Sequence, residues 1–484
     1  MNYKMIGRFI SMILCVEAIF MIPALLISIF ENETSAVKGF SSTILITAVV
    51  AAVLYAICRK AKHKFYAREG LVCVGIGWTV MSLLGALPFC LSHEIPSFID
   101  SFFEIVSGFT TTGSSVVADV EALSRGILYW RSFSHWVGGM GILVFVLAIA
   151  PTVSDSGGFA MHLMRAESPG PDVGKLVPRM KKTAMMLYII YIALTVLNFI
   201  FLVAGRMSVF DSVCTAFGTA GTGGFGIKND SMAGYSPYLQ NVTTVFMLLF
   251  GVNFSCYHFI LIRQFGNFFK NEELRFYLGI YAASVAAIVV NLQRFYHTFG
   301  ETLRHAAFQV ASIITTTGFS TTDFDKWPTF SKTILLFLMA LGACAGSTGG
   351  GMKCIRLLLL IKGLRRGVHR AVHPQRVQPV RCNGATVNEK VLDNINVYIS
   401  AYILMIALSM LIISIDGFSL ETNLSAVVSC FNNIGPGFDK VGPLCNFGGY
   451  SALSKLILSF DMLAGRLEIF PILILFSSST WRRK

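Results

Sequence analysis

Thr110-Thr111-Thr112-Gly113 recurs as Thr315-Thr316-Thr317-Gly318. Two looser copies, Gly221-Thr222-Gly223-Gly224 and Asn432-Asn433-Ile434-Gly435, share the closing glycine. Each copy follows a short apolar segment, near 99–111, 208–221, 303–316 and 420–433. Crossing the hydrocarbon core takes about 20 apolar residues in a helix, so none of the four can span. Each is preceded and followed by a longer apolar run. A unit of span, half-span, glycine turn and span therefore occurs four times, which marks an internal repeat. The expected units are 69–182, 183–273, 274–392 and 393–484, preceded by two leading helices in 1–68.

Composition supports this reading. Of 484 residues, 54% are hydrophobic and 13% are charged. Soluble domains carry roughly 25% charged residues, and a long chain with half that share cannot cover a soluble surface. The 40 phenylalanines and 43 glycines suit lipid-facing surfaces and close helix approach. Runs long enough to span cover 5–30, 40–58, 69–92, 126–151, 183–204, 238–262, 274–292, 330–361, 393–415 and 451–476. The expected fold is thus an all-α polytopic membrane protein: two leading helices plus four helix–pore-helix–filter–helix repeats around a central pore. The 11 cysteines are scattered singly with no CxxC, which excludes a redox or zinc pair and a disulfide framework.

The net charge of +13 is a matter of location rather than of nucleic-acid binding. With ten spans, most of the 39 lysines and arginines fall on one side: the N-terminus, loops 59–69, 153–182, 263–275 and 362–390, and the tail Trp481-Arg482-Arg483-Lys484. The positive-inside rule makes that side the cytoplasm. Both termini are then cytoplasmic and the four half-spans enter from outside. The basic loops also suit anionic lipid or an acidic partner.

Irregular backbone at membrane depth is tolerated only where it is buried or lines water. One Thr-Gly turn is ordinary loop chemistry; four in matching units can meet around one axis. Glycine lets carbonyls point inward, and four strands of carbonyl oxygen can replace the hydration shell of a cation. Pore-helix C-termini aimed at the axis add partial negative charge.

Several motifs together resemble the Trk/Ktr/HKT superfamily of cation transport proteins, and within it the bacterial Trk-type potassium-translocating subunits. They are the four turns with their flanks (108–115, 220–225, 315–320 and 432–438), His135-Trp136-Val137-Gly138-Gly139-Met140-Gly141, and Ala345-Gly346-Ser347-Thr348-Gly349-Gly350-Gly351. The resemblance covers essentially the whole chain. It implies K⁺ held by the backbone carbonyls of Thr111, Thr112, Thr222, Gly223, Thr316, Thr317, Asn433 and Ile434. The filter glycines are Gly113, Gly224, Gly318 and Gly435. In plant relatives serine at the first of these favours Na⁺, whereas this chain keeps Gly113. The family further implies a gate formed by the loop Gly346, Ser347, Thr348, Gly349, Gly350 and Gly351, with Arg466 beside the ion path. It also implies a homodimer in the bacterial inner membrane and a separate cytosolic, nucleotide-binding, Rossmann-like regulatory subunit, for which loops 153–182 and 362–390 are the expected contacts.

Other readings are weaker. Gly346 to Gly351 has P-loop spacing, but Met352-Lys353 stands where Lys-Ser/Thr is required. His369 and His373 lie four apart without the glutamate of a zinc protease. Asp100, Glu104, Asp211, Asp323 and Asp325 could draw cations to the outer mouth or cap the half-helices. A buried ion pair is the alternative role for Arg466. No nucleophile–base set or nucleotide fingerprint is visible, so an enzyme, an organic cofactor and nucleic-acid binding are not expected. The competing function is a secondary active transporter of Na⁺ or a small solute.

Overall fold

The computed structural model describes residues 1–59, 67–141, 180–375 and 378–481. Much of loops 59–69 and 153–182, residues 142–151 of one expected span, and the terminal Arg482–Lys484 lie outside the described residues. Among the described residues the only strands form a small hairpin, β1 (Arg381–Cys382) and β2 (Ala385–Thr386).

Two long helices lead, α1 (Tyr3–Phe30) and α2 (Thr34–Cys58), packed along one another. The first unit contains α3 (Ala67–Gly85), the short α4 (Leu87–Leu91), the half-span α5 (Phe98–Phe109) and α6 (Arg125–Met140). In the second, α7 (Met180–Ala204) and the half-span α8 (Val209–Gly221) precede α9 (Pro237–Phe250), α10 (Phe254–Leu261) and α11 (Phe265–Lys270). The third has α12 (Glu272–Asn291), the half-span α13 (Phe299–Ile314), α14 (Thr329–Leu341) and α15 (Cys354–Val372). The fourth has α16 (Glu389–Ile413), the half-span α17 (Leu420–Asn432), α18 (Ala452–Arg466), α19 (Phe470–Phe476) and α20 (Ser478–Trp481). Two leading helices and four repeats of one hairpin are the architecture expected.

Local chemistry starts each half-span in the same way. The hydroxyls of Ser97, Ser208, Thr298 and Ser419 accept from the backbone N–H three residues on. An acid follows in each first turn: Asp100, Asp211, Glu301 and Glu421. A side-chain cap and an acid satisfy and complement the positive helix start.

Six described helices are long and apolar enough to cross a membrane, or seven if the bent pair α9–α10 counts as one. Of the ten expected spans, the second ones of the second, third and fourth units are corrected to broken helices. The 238–262 run bends by 91° between α9 and α10. Asn253 restarts the helix by accepting from Ser255 N–H, and the freed Gly251 carbonyl accepts from Cys344 N–H at 3.1 Å. The 330–361 run breaks at 342–353, as its glycines imply, but resumes and continues to Val372. The expected 362–390 loop is therefore helix to Val372, then the β1–β2 hairpin. The 451–476 run breaks after Arg466, where Glu468 and Ile469 take positive φ of 55° and 70°, and resumes as α19. Glu468 sits in this break and pairs there with buried Arg356.

Candidate functional site: a ring of four glycine turns

The four half-spans end identically. In the first, Thr111 N–H bonds Gly108 O at 3.1 Å and Thr112 N–H reaches back to Ser107 O at 2.8 Å. Thr222 and Gly223, Thr316 and Thr317, and Asn433 and Ile434 repeat both bonds. This is the Schellman termination, which usually places glycine at the left-handed position. Here Thr111, Thr222, Thr316 and Asn433 occupy it, with φ of 56°, 55°, 58° and 57°. A β-branched residue there is a genuine outlier, and such strain collects at functional sites. No sequence signal announced these left-handed threonines.

Two residues on, Gly113, Gly224, Gly318 and Gly435 again have positive φ, of 82°, 75°, 85° and 105°. A Cβ on Gly113 would lie 2.0 Å from Gly223 O. One on Gly224 would lie 1.9 Å from Thr317 O, and one on Gly318 would lie 2.0 Å from Ile434 O. One on Gly435 would lie 2.8 Å from Thr112 O, which closes the circle. Each turn thus presents the carbonyl before its glycine to the glycine of the turn preceding it in the ring. Both backbone angle and space exclude a side chain at these positions.

Hydroxyls brace the first and third turns from within. Thr110 donates to Val106 O at 2.6 Å, so its oxygen accepts from Thr112 at 2.8 Å. Thr315 and Thr317 repeat the arrangement at 2.7 Å. Asn433 of the fourth turn donates to Thr112 Oγ1 at 3.0 Å and to Met462 O at 2.9 Å. It thereby ties the fourth turn to the first.

A second layer packs against the turns. A Cβ on Gly138 would lie 1.8 Å from Phe109 O, and one on Gly465 1.8 Å from Phe431 O, so α6 and α18 touch the half-span ends directly. The 342–353 loop, with Gly346, Ser347, Thr348, Gly349, Gly350 and Gly351, does the same for the third and fourth turns. Gly350 N–H donates to Thr316 Oγ1 at 2.6 Å, and a Cβ on Gly350 would meet Asn432 O at 2.5 Å. Arg466 joins three units: it donates to Thr348 O at 2.8 Å, to Gly139 O at 2.7 Å and to Gly138 O. The guanidinium and the glycine run, brought together only by the fold, are in direct contact. Lys353 also reaches Gly349 O from within the loop.

The acids beside the turns are engaged with the protein. Glu104 is buried and paired with buried Arg131 at 2.6 Å, and it accepts from Ser115 Oγ and Val116 N–H at 2.9 Å. Asp100 pairs with Lys455 at 2.6 Å, Asp325 with Lys332 at 2.8 Å and Asp323 with Lys326 at 3.2 Å. Asp211 accepts from Tyr235 at 3.1 Å. None of the five caps a half-span with its side chain; the hydroxyl caps do that. The sequence reading missed those caps, although the recurring Ser/Thr-x-x-acid pattern of the first three half-spans was a readable signal.

Fold and ring together define a polytopic membrane protein whose four glycine turns, one from each unit, pack against one another in a closed circle. Residues 37–483 match the family model described as TrkH, cation transport protein, and the chain belongs to that family. It is 35% identical over 492 residues to the Trk system potassium uptake protein TrkH of Salmonella typhimurium, and 36% identical to that of Escherichia coli K12, each alignment covering all of both chains. Its similarity to the TrkG protein of E. coli K12 is 30% over 470 residues, covering 96% of this chain and 95% of the relative. The crystal structure of the potassium transporter TrkH from Vibrio parahaemolyticus superposes with a TM-score of 0.89 at 33% identity, covering all of both chains.

Proposed function

We propose that this chain carries K⁺ across the bacterial inner membrane through the glycine-turn ring. The observation that carries this reading is the closed circle of contacts Gly113–Gly223, Gly224–Thr317, Gly318–Ile434 and Gly435–Thr112. It brings one stretch of backbone from each unit into a single ring. The carbonyls of Thr111, Thr112, Thr222, Gly223, Thr316, Thr317, Asn433 and Ile434 replace the ion's hydration shell. The negative ends of four pore helices stabilise the dehydrated cation. Each of the units 69–182, 183–273, 274–392 and 393–484 supplies one strand of the filter.

Flux is controlled by the second layer. The 342–353 loop, which lacks regular helix, is the part that moves, and Arg466, bonded to its Thr348 carbonyl, sets a positive charge beside the path. Both termini are cytoplasmic, following the basic loops. The chain works as a homodimer in the lipid bilayer and takes its regulation from a cytosolic, Rossmann-like nucleotide-binding subunit. That subunit contacts the 362–390 segment, whose Lys362 and Arg366 are braced by Glu272 and Glu389, and loop 153–182. No organic cofactor or nucleic acid enters the reading, and the activity is transport rather than catalysis.

Uptake of ⁸⁶Rb⁺ into liposomes holding only this chain tests it. Rapid Rb⁺ entry that excess K⁺ blocks and Na⁺ does not is the expected result. Ion-driven uptake of an organic solute, or of Na⁺, without Rb⁺ flux would establish the competing secondary transporter instead.

A further inference from the structure

Three turns carry a side chain immediately before the glycine: Thr112, Thr317 and Ile434. The second has Gly223, which is absent from the left-handed positions, so its backbone does not demand glycine. A Cβ there would lie 2.2 Å from Cγ and Nδ1 of His135. What excludes a side chain is therefore the imidazole. His135 stands on α6, in the preceding unit, and is wholly buried.

The imidazole is fixed at both nitrogens. Nδ1 lies 2.8 Å from Gly108 O, and Phe225 N–H points at Nε2 from 3.2 Å. A backbone N–H can only donate, so Nε2 is the acceptor and the proton sits on Nδ1, donated to Gly108. The ring also packs 4.3 Å from the Phe225 ring. One turn earlier on α6, Arg131 lies 4.1 Å over the Phe225 ring and reaches Gly226 O at 3.4 Å. One face of α6 thus holds the second turn on both sides of Gly224. The first and third turns brace themselves with paired threonine hydroxyls. The second has lost both, at Gly221 and Gly223, and His135 fills the vacated space.

We propose that His135 is a specificity-determining positioning residue. As the neutral Nδ1–H imidazole, wedged between the first pore helix and Phe225 N–H, it sets where the Gly223 carbonyl stands in the ring. This rests on the filter reading above.

The test is a mutant cycle read as the Rb⁺/Na⁺ flux ratio per protein in liposomes, with Gly113→Ser as the reference for the filter itself. His135→Ala should lower the ratio about tenfold, the scale of leaving one buried donor without its acceptor. Gly223→Thr should lower it too, because its side chain meets the imidazole. The double variant should recover most of the loss, since residues in contact couple rather than add. His135→Gln, which keeps an acceptor for Phe225 N–H, should fall between His135→Ala and the native chain. An unchanged ratio in folded His135→Ala overturns the proposal, as does simple addition of the two losses. So does a drop in folded protein with the ratio intact, which marks a merely structural residue. If His135→Ala does not fold, Gly223→Ala carries the test, and an unchanged ratio there overturns the proposal. An unchanged ratio in Gly113→Ser instead removes the filter reading on which it stands.

Discussion

The four glycine turns are nearly the same object, and the four helices that follow them are all different. Each turn has a left-handed residue at the same place, within 3° of φ, and the same paired back-bonds. Of the second helices, α6 runs to Met140, α9 bends by 91°, α14 gives way to a loop and α18 stops at Arg466. On the proposed reading, each unit supplies one strand of a single ring of carbonyls, and a shared role of that kind favours one geometry for all four turns. No such demand falls on the layer packed against it. There, inequality is what brings Arg466 and the 342–353 loop to one place.

The contrast can be broken at the back of the ring first. Glu104→Ala leaves buried Arg131 without its carboxylate partner. Breaking a buried pair costs about 3–5 kcal/mol, and the thermal midpoint of the purified protein in detergent should fall steeply. An unchanged midpoint would mean that the pair is not what holds the first and second turns together.

Next come the turn glycines. Gly113→Ser, Gly224→Ser and Gly318→Ser each drive a side chain onto a neighbouring carbonyl. Overpacking costs on the order of 1–3 kcal/mol, roughly ten- to a hundredfold in a ratio, and the Rb⁺/Na⁺ flux ratio should drop by that order while the protein still inserts. Gly435→Ser should be the mildest, because its neighbour lies at 2.8 Å rather than about 2 Å. Equal losses at all four positions would show that backbone angle, not the carbonyl contact, sets the effect.

The second layer should behave oppositely. Arg466→Ala, or deletion of Gly346–Gly351, should raise K⁺ flux per molecule several-fold, in line with removing one charge near the path at intermediate effective dielectric, with selectivity retained. Normal folding with unchanged flux in both would dismiss the gate. The smallest effect belongs to the helix caps. Ser97→Ala and Ser208→Ala should each cost about 1 kcal/mol of stability, seen as a modest shift in detergent melting, with the flux ratio untouched.

The repeat, the half-spans and the turn glycines were legible in the sequence because each rests on local chemistry. An apolar run either is or is not long enough to cross, and a recurring TTTG is visible at any distance along the chain. Breaks at 342–353 could be anticipated from glycine alone. The bend at Gly251–Asn253, the stop at Arg466 and the pairing of Glu468 with Arg356 could not. They depend on which carbonyls another unit leaves free, and those partners lie far away in sequence. The same holds for Gly223: on its own it reads as a permissive glycine in a turn, and only His135, 88 residues earlier, gives it a reason. Sequence by itself thus determined the class of fold and the identity of the ring, through periodicity, hydrophobic length and glycine's conformational range. Tertiary structure alone decided which turn leans on which neighbour, because packing brings together groups whose contacts no local pattern encodes.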